Sequence, residues 1–226
     1  MVYKNIVTAC FLRRPNRFIA ICEINGREEV CHVKNTGRCR ELLVENAEVY
    51  LEKSDNPLRK TKYDLVGVRK NGILINMDSY APNIVFGEFL RVGNLFDYEI
   101  IKSEYKYKNS RFDFYIKEKN GRECFVEVKG VTLENDGVVM FPDAPTERGL
   151  KHINELISAV KEGFGAYIVF VIQMNGVKYF TPNKKMHPEF SEALKNAEKS
   201  GVKILAYDCN VTKDSMVINS PVKISF

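Results

Sequence analysis

Three charged residues on two neighbouring apolar segments could bind a divalent cation. Asp113 lies in the segment SRFDFYIKE, Glu127 and Lys129 lie in ECFVEVKG, and both segments otherwise have the composition of buried strands. A charge on a half-buried strand is unfavourable unless it is solvated, paired or bound to a cation. The three residues therefore indicate either a functional site or an exposed set of ion pairs, depending on which face each side chain takes.

The turn between the two segments determines these faces. A two-residue Asn-Gly turn would mix charged with aromatic residues on both faces of the hairpin. A three-residue loop, 119–121, with Gly121 in the left-handed conformation, instead places Asp113 opposite Glu127 and Lys129 further along the same face. The other face then becomes wholly apolar, and its pairs are Phe112 with Val128, Phe114 with Val126, and Ile116 with Cys124. The apolar pattern therefore predicts the three-residue loop.

In this register the two acids of the hairpin could bind a cation that promotes hydrolysis of a phosphodiester bond. Opposed residues have Cβ atoms about 5 Å apart, and two adjacent carboxylates repel unless one is protonated or a cation lies between them. We therefore expect Asp113 and Glu127 to ligate Mg²⁺ or Mn²⁺, an ion that can hold a phosphate oxygen and lower the pKa of a bound water. Lys129 would orient the attacking water or stabilise the reacting phosphorus. The alternative is an exposed face whose ion pairs contribute ~0–1 kcal/mol each.

The elements that must position these residues alternate strands with helices after residue 80. Apolar periodicity predicts strands at 98–105, 111–116, 124–128, 166–173 and 203–207, and helices at 146–162 and 189–200. A further helix is predicted in SYAPNIVFGEFLRVGNL, with Ile84, Val85, Phe89 and either Leu90 or Val92 on its apolar side and with Gly93 and Asn94 at its end. This order predicts a mixed α/β domain over 81–226, with helices packed on a sheet.

Residues 1–80 have a different pattern, in which short strands are separated by turns. The strongest turn signal is Asn71-Gly72 in YDLVGVRKNGILINM, and the other strand-like runs are RFIAICEI, EVCHVK and AEVYLEKS. Four or five short strands predict a small barrel or a curled sheet. The boundary between the two domains is expected near residue 80, at DSYAPN.

Composition argues against membrane and disulfide-rich secreted classes. The chain has 226 residues, is 45% hydrophobic, and has no apolar run near the ~20 residues that span a bilayer. Its six cysteines form no C-x-x-C pair, so we expect reduced thiols in a cytoplasmic protein without a signal peptide. Residues 1–80 hold 14 Lys and Arg against 10 Asp and Glu, a net charge of +4, and residues 81–226 hold 20 against 19, a net charge of +1. A mildly basic first third is compatible with a polyanionic partner.

The order of the acidic motif resembles that of the PD-(D/E)xK nucleases, which carry a helix Glu, a strand Asp and an E-x-K on the next strand. This resemblance implies that Glu88, in NIVFGEFL, assists Asp113 and Glu127 at the metal. Nearly the whole chain also resembles the sugar fermentation stimulation protein family (SfsA). The matching stretches are RPNRFIAICEI, CHVKNTGRCRELL, KSDNPLRKTKYDL, APNIVFGEFL, SEYKYKNSRFDF, FVEVKGVTL, FPDAPTERGLKHINEL and GVKILAYDC.

The family resemblance implies an α/β (α+β) chain with an N-terminal OB-like small β-barrel and a PD-(D/E)xK nuclease-like mixed-sheet domain with flanking helices. It also implies DNA binding, of single-stranded, branched or duplex DNA, and an association with the regulation of sugar use, notably of maltose. A nuclease with a Mg²⁺ site is the leading interpretation. The alternative is a non-enzymatic DNA-binding regulator in which the pocket is a structural or ligand-binding remnant.

Basic residues of the barrel are the expected DNA contacts. The turn Asn35-Thr36-Gly37 is flanked by Lys34 and Arg38, and its amides and cations could hold phosphates. Each basic cluster taken alone is better explained as solvated surface. In TERGLKH, Arg148 and His152 are expected near the metal pocket, as phosphate contacts or as groups that support the metal ligands, and Gln173 could reach the same pocket. The predicted nucleic-acid-binding set is Arg13, Arg17, Lys34, Asn35, Arg38, Arg59, Lys60, Arg148 and His152.

Overall fold

The computed structural model describes residues 1–93, 95–108 and 110–226 and contains two β-rich units in sequence. The first unit comprises β1 (Ile6–Asn16), β2 (Ile19–Ile24), β3 (Arg27–Val33), β4 (Glu48–Lys53), β5 (Tyr63–Lys70) and β6 (Ile73–Asn76). The second comprises α1 (Ala81–Arg91), β7 (Tyr98–Tyr107), β8 (Ser110–Glu118), β9 (Glu123–Val131), β10 (Leu133–Asn135), β11 (Val138–Phe141), α2 (Glu147–Lys161), β12 (Gly165–Ile172), β13 (Tyr179–Pro182), α3 (Pro188–Lys199), β14 (Lys203–Val211) and β15 (Met216–Pro221).

The first five strands close into a barrel. Their order is β3-β2-β1-β4-β5, and a parallel pairing of β3 with β5, which sets Cys31 opposite Tyr63, closes the cylinder. β6 extends β5 through a hairpin in which Asn71 (φ 49°) and Gly72 (φ 82°) both take positive φ, as a two-residue turn requires. The predicted small barrel and its Asn-Gly hairpin are therefore confirmed, and β1 is an additional strand that the pattern did not show.

A six-stranded mixed sheet, ordered β15-β14-β12-β9-β8-β7, forms the centre of the second unit. β9, β12 and β14 run parallel, whereas β7, β8 and β9 are antiparallel neighbours. α1 packs on one face of the sheet with β9 and β15, and α2 packs on the other face with β8, β9 and β12. The predicted mixed sheet with flanking helices is confirmed.

The apolar side of α1 differs in part from the prediction. Val85 and Leu90 are buried as expected, but Ile84 and Val92 are exposed because the helix packs through Pro82 and Phe86 as well. Gly93 has φ 77° just after the helix, as its proposed terminating role requires, and Asn94 lies outside the described residues. No helix in the described part of the chain is long and apolar enough to cross a membrane.

The hairpin of β8 and β9 has the predicted register as far as Phe114 and Val126, but the strand pairing stops before the predicted pairs Asp113–Glu127 and Phe112–Val128. Phe114 pairs with Val126 and Ile116 with Cys124, and the loop 119–121 is closed by Gly121 at φ 87°. The prediction is wrong for Phe112, which packs on the α2 side of the sheet rather than with Phe114 on the α1 side. Strand alternation is broken between these two phenylalanines, at Asp113.

A shared interior joins the two units. One cluster of buried apolar side chains contains Leu51 and Val68 of the barrel as well as Phe170 and Ile172 of β12. A three-stranded sheet, β10-β11-β13, lies beside it, and Glu134 of β10 accepts a 2.9 Å hydrogen bond from Nζ of the barrel residue Lys70. All six cysteines carry free thiols.

Candidate metal centre and nucleic-acid interface

A fork between two strands holds the central acidic residues. β8 and β9 pair only as far as Phe114 and Val126. Beyond that pair β8 continues along β7 to its Ser110 end, while β9 continues along β12 to Val131. We call the opening between the diverging strands the strand fork; Asp113 borders it on β8 and is hydrogen-bonded to α1, and Glu127 borders it on β9 and is hydrogen-bonded to α2.

Asp113 is held at the fork by two hydrogen bonds. Its Oδ2 accepts from the backbone amide of Val128 (2.7 Å), where a regular hairpin would have a backbone carbonyl. Its Oδ1 accepts from Nδ2 of Asn83 on α1 (2.8 Å). Burial, together with the nearby charge of Glu127, raises the pKa of Asp113 to about 6. The charge of Lys129 and the hydrogen bonds from Val128 and Asn83 favour the ionised form of Asp113 but do not offset its burial and the charge of Glu127.

Glu127 has one oxygen fully engaged and one free. Its Oε1 accepts from Lys129 Nζ (2.6 Å) and contacts His152 Nδ1. Its Oε2 is buried and has no hydrogen-bond partner in residues 1–93, 95–108 or 110–226. Burial alone would raise the pKa of Glu127, but the contacts with His152 and Lys129 outweigh it and lower the pKa below its ordinary value. Glu127 is therefore an ionised group with an unused acceptor.

These features fit a hard divalent cation. An unpartnered carboxylate oxygen in the interior is unfavourable, and the two adjacent acids disfavour each other's charge, so a cation between them would remove both problems. Among the described residues no group of three or more His, Cys, Asp or Glu side chains converges on one point. The protein thus offers two carboxylates, Asp113 and Glu127, a number typical of Mg²⁺ sites that retain several waters.

The structure does not bring Glu88 together with Glu127. Glu88 lines a cavity of about 360 Å³ on the α1 side that also reaches Asp113. Its carboxylate, however, is 50% exposed and accepts from the amino group of Met1 at 2.6 Å. Its role as a metal ligand therefore stays a prediction, and it would require the carboxylate to leave that ion pair.

The α2 residues occupy different environments. His152 is buried against Glu127, so the expectation of a direct phosphate contact is corrected to the alternative of a group that supports a metal ligand. Arg148 is exposed one turn earlier and remains accessible. Gln173 is 2% exposed, and its Nε2 donates to oxygens of Asn76 and Asp78 in the barrel, so it joins the two units rather than facing the fork.

Three of the predicted DNA contacts are already ion-paired within the barrel. Arg13 forms a bidentate pair with Glu28, and Arg59 forms one with Asp64 at 2.7 and 2.6 Å. Lys34 Nζ lies 2.6 Å from Oδ2 of Asp78, which is 0% exposed. The pair of Arg13 with Glu28 is exposed and weak, whereas Arg59 and Lys34 pair with largely buried carboxylates, so a phosphate would have to compete with those two pairs. Lys34 in particular is a structural counter-charge.

Three exposed arginines lie around one groove. Arg17, Arg38 and Arg40 line an opening of about 440 Å³, which we call the arginine groove. Arg14 forms its base and donates to the carbonyl oxygens of Arg17, Asn35, Gly37 and Arg38 at 2.7 to 2.9 Å. Within the turn, Asn35 Oδ1 accepts from the Gly37 amide at 2.7 Å. Lys60 is exposed but lies elsewhere on the barrel.

Two supporting residues were missed from the sequence. Asn83 is a polar residue beside the buried side of α1, and that position could have been a signal for a partner on the sheet. Arg14 is absent from the predicted nucleic-acid-binding set, and nothing in its local sequence shows that its guanidinium would bind four carbonyl groups.

Comparison with known proteins gives the same division of the chain. The family described as "SfsA N-terminal OB domain" matches residues 12–77, and "Sugar fermentation stimulation protein RE domain" matches residues 80–215. A sugar fermentation stimulation protein homolog of Clostridium beijerinckii is 57% identical over 225 residues, covering 99% of each chain. One from Desulfitobacterium hafniense is 60% identical over 216 residues, covering 96% of this chain and 94% of its own.

A solved relative has the same architecture. The structure of Pyrococcus furiosus SfsA in complex with Ca²⁺ superposes with a TM-score of 0.87 at 31% identity, covering 100% of this chain and 98% of that one. The expected order, an OB barrel followed by a mixed-sheet domain with flanking helices, is thereby confirmed, and the nuclease-like character of the second domain stays a prediction. The chain belongs to the sugar fermentation stimulation protein family.

Proposed function

We propose that this protein binds DNA and hydrolyses phosphodiester bonds at the strand fork with the aid of a divalent cation. The observation that carries the proposal is the buried Oε2 of Glu127, which has no hydrogen-bond partner in the described residues and lies beside Asp113. Four other buried polar atoms of the described residues also lack a partner, namely Arg14 Nε, Glu41 Oε1, Ser110 Oγ and Glu155 Oε2, so the free oxygen of Glu127 is informative because a second carboxylate lies near it. An atom left free next to a second carboxylate suits a ligand that binds from outside.

Asp113 and Glu127 would hold Mg²⁺ or Mn²⁺. When bound, such an ion supplies Lewis-acid stabilisation of the negative charge that develops on a phosphodiester. The Ca²⁺ bound by the Pyrococcus furiosus relative supports an oxygen-ligated cation in this family, since Ca²⁺ and Mg²⁺ both prefer carboxylate oxygens.

The remaining groups hold the two acids and complement the substrate. Asn83 and the Val128 amide fix both oxygens of Asp113, and His152 fixes Oε1 of Glu127. Lys129 is 14% exposed at the same oxygen, so its ammonium can also face a bound phosphate and offset charge there. Lys129 would also orient the attacking water.

The arginine groove would supply the sequence-independent contacts to DNA. Exposed guanidinium groups bind phosphate oxygens in bidentate geometry, and Arg17, Arg38 and Arg40 lie together around one opening. Arg14 holds the turn that carries Arg38, so the groove is preformed. Arg148 adds a further exposed cation on α2.

The test is cleavage of labelled single-stranded, branched and duplex DNA with Mg²⁺ or Mn²⁺, compared with the same reactions in EDTA. We expect metal-dependent products, and we expect Asp113→Asn to abolish them because the variant loses a ligand charge while retaining the size of the side chain. Asp97→Asn is the matched control. It makes the same change at an exposed carboxylate that pairs with Lys119 far from the fork, and it should cleave like the wild type.

A non-enzymatic DNA-binding regulator is the second candidate. It is favoured by the ion pairs of Lys129 and His152 with Glu127, which already offset the charge of this acid without a metal. DNA binding that persists while none of the substrates is cut under either metal would select the regulator and reject the nuclease.

A further inference from the structure

A second cavity begins immediately beside the strand fork. It has a volume of about 270 Å³ and lies between the barrel turn 35–37 and the end of β9, starting at Gly130, the residue after Lys129. We call it the interdomain cavity. It is far larger than the ~30 Å³ that a water occupies in the liquid, and its size suits one nucleotide unit.

The cavity contains two acceptor groups that the protein leaves unused. Gln173 is 2% exposed and commits its Nε2 to the barrel, while its Oε1 has no hydrogen-bond partner among the residues described. That oxygen lies only 2.6 Å from the point where a Cβ on Gly130 would be, so the glycine keeps this end of the cavity open. The half-buried carboxylate of Asp143 likewise accepts no hydrogen bond in the described structure. Both residues line the cavity, so these oxygens are accessible to a ligand that carries hydrogen-bond donors.

The other walls suit the flat face of a base. Leu133, Met140 and Phe141 give the cavity an apolar side. Flat heteroaromatic rings are bound in this way, with apolar or aromatic contact to the faces and hydrogen bonds at the edge.

The cavity also lies on the path between the two parts of the proposed DNA site. It shares the wall formed by Thr36 and Gly37 with the arginine groove, and its lining also includes Gly130, which follows Lys129 in β9. A strand whose phosphates follow the arginine groove toward the fork would therefore pass directly over the cavity. One of its bases would face the opening.

We infer that the interdomain cavity binds one unstacked nucleobase that carries an exocyclic amino group. The inference rests on the proposed function for the nature of the ligand as a DNA strand. Two acceptors, Gln173 Oε1 and the Asp143 carboxylate, select the amino group of cytosine or adenine over the carbonyl group of uracil or thymine at the same position. The carbonyl oxygen of uracil or thymine at that position would be a third acceptor beside Gln173 Oε1 and the Asp143 carboxylate. No hydrogen bond could form between it and either of them.

The test compares deoxycytidine and deoxyuridine dodecamers, whose bases differ in the amino group and in the proton at N3. Binding is measured by fluorescence anisotropy in EDTA, so that cleavage does not contribute. We expect the deoxycytidine dodecamer to bind roughly tenfold more tightly, within the range of one base-edge recognition. Asp143→Asn should reduce the preference to about twofold or less, because its amide can donate to the uracil carbonyl. Asp97→Asn, with the same charge change outside the cavity, should preserve it.

A second variant tests the space rather than the charge. Thr132 is a half-buried residue in the cavity wall, and Thr132→Phe would fill the volume next to it. We expect this variant to bind both dodecamers with the lower affinity of the deoxyuridine strand, while its thermal unfolding shows that it is folded.

The outcomes separate this inference from the proposed function. Equal affinity of the wild type for the two dodecamers would overturn the nucleobase site, whether or not DNA is cleaved. A clear preference that Asp143→Asn removes, in a protein that cleaves no DNA, would support the cavity assignment and reject the nuclease. Absence of binding to either dodecamer would overturn the inference together with the DNA-binding part of the proposed function.

Discussion

Variants of Lys34 distinguish a structural role of this residue from a role in DNA binding. Its Nζ lies 2.6 Å from Oδ2 of Asp78, a residue that is 0% exposed. Lys34→Met would keep the length of the side chain but leave that carboxylate buried without a counter-charge, a change that costs ~3–5 kcal/mol. Asp78 would retain the amide of Tyr80 at 2.9 Å and the hydroxyl of Tyr3 at 3.3 Å. We therefore expect a loss of about 3 kcal/mol, at the lower end of that range.

The assay is urea unfolding of four proteins: the wild type, Lys34→Met, Asp78→Asn and the double variant. The double variant should be more stable than the sum of the single losses predicts, because it contains no unpaired buried charge. Arg38→Met is the matched control, since Arg38 is exposed, and its free energy of unfolding should stay within about 0.5 kcal/mol of the wild type.

DNA binding by the variants Lys34→Met and Arg38→Met gives a second, independent test of the ion pair. Suppose that Lys34→Met lowers the free energy of unfolding by less than about 1 kcal/mol and weakens DNA binding as strongly as Arg38→Met does. Lys34 would then be an exposed phosphate contact. The buried pair with Asp78 would then be refuted.

Three further predictions concern the groove, the metal ligands and acid stability. Arg17→Ala with Arg38→Ala should weaken DNA binding for all sequences and reduce the slope of log affinity against log salt by ~1.4–1.8, the value for two lost phosphate contacts. His152→Ala should lower Mn²⁺ affinity by ~10–100-fold in calorimetry, because Glu127 Oε1 loses the group that orients it. The pKa of Glu134 is lowered, since hydrogen bonds from a backbone amide and Lys70 outweigh burial. Its contribution to stability is therefore complete above the ordinary glutamate pKa and disappears as the pH falls through the lower folded value. The stability gap between the wild type and Glu134→Gln in urea should be full at pH 7 and close progressively in acid.

The sequence was most informative where local rules determine the structure. The register of β8 and β9 follows from one apolar face and from a glycine at position 121 that can take positive φ. The misplaced face of Phe112 has a different origin. The Asp113 carboxylate takes the amide of Val128 and interrupts the alternation, and a period-two pattern contains no information about such a side chain to backbone bond.

Contacts between distant segments were beyond local patterns. Lys34 looked like one more cation in a basic turn, and only the fold shows that Asp78 lies against it. Short strands such as β10, with three residues, and β13, with four, have too few residues for an alternation to be recognised. The acids of the fork could be proposed from the hairpin alone, whereas the cations available to DNA could not be distinguished from the paired ones.

The shared interior has a consequence for handling the protein in pieces. Although the family descriptions divide the chain near residue 78, a cut there would separate Gln173 from the carbonyl groups of Asn76 and Asp78, and would split one apolar cluster between two fragments. Each half would expose surface that normally never meets solvent. The barrel expressed by itself is therefore expected to aggregate or remain unfolded, and deletion experiments intended to assign tasks to the halves would report on collapse of the whole chain instead.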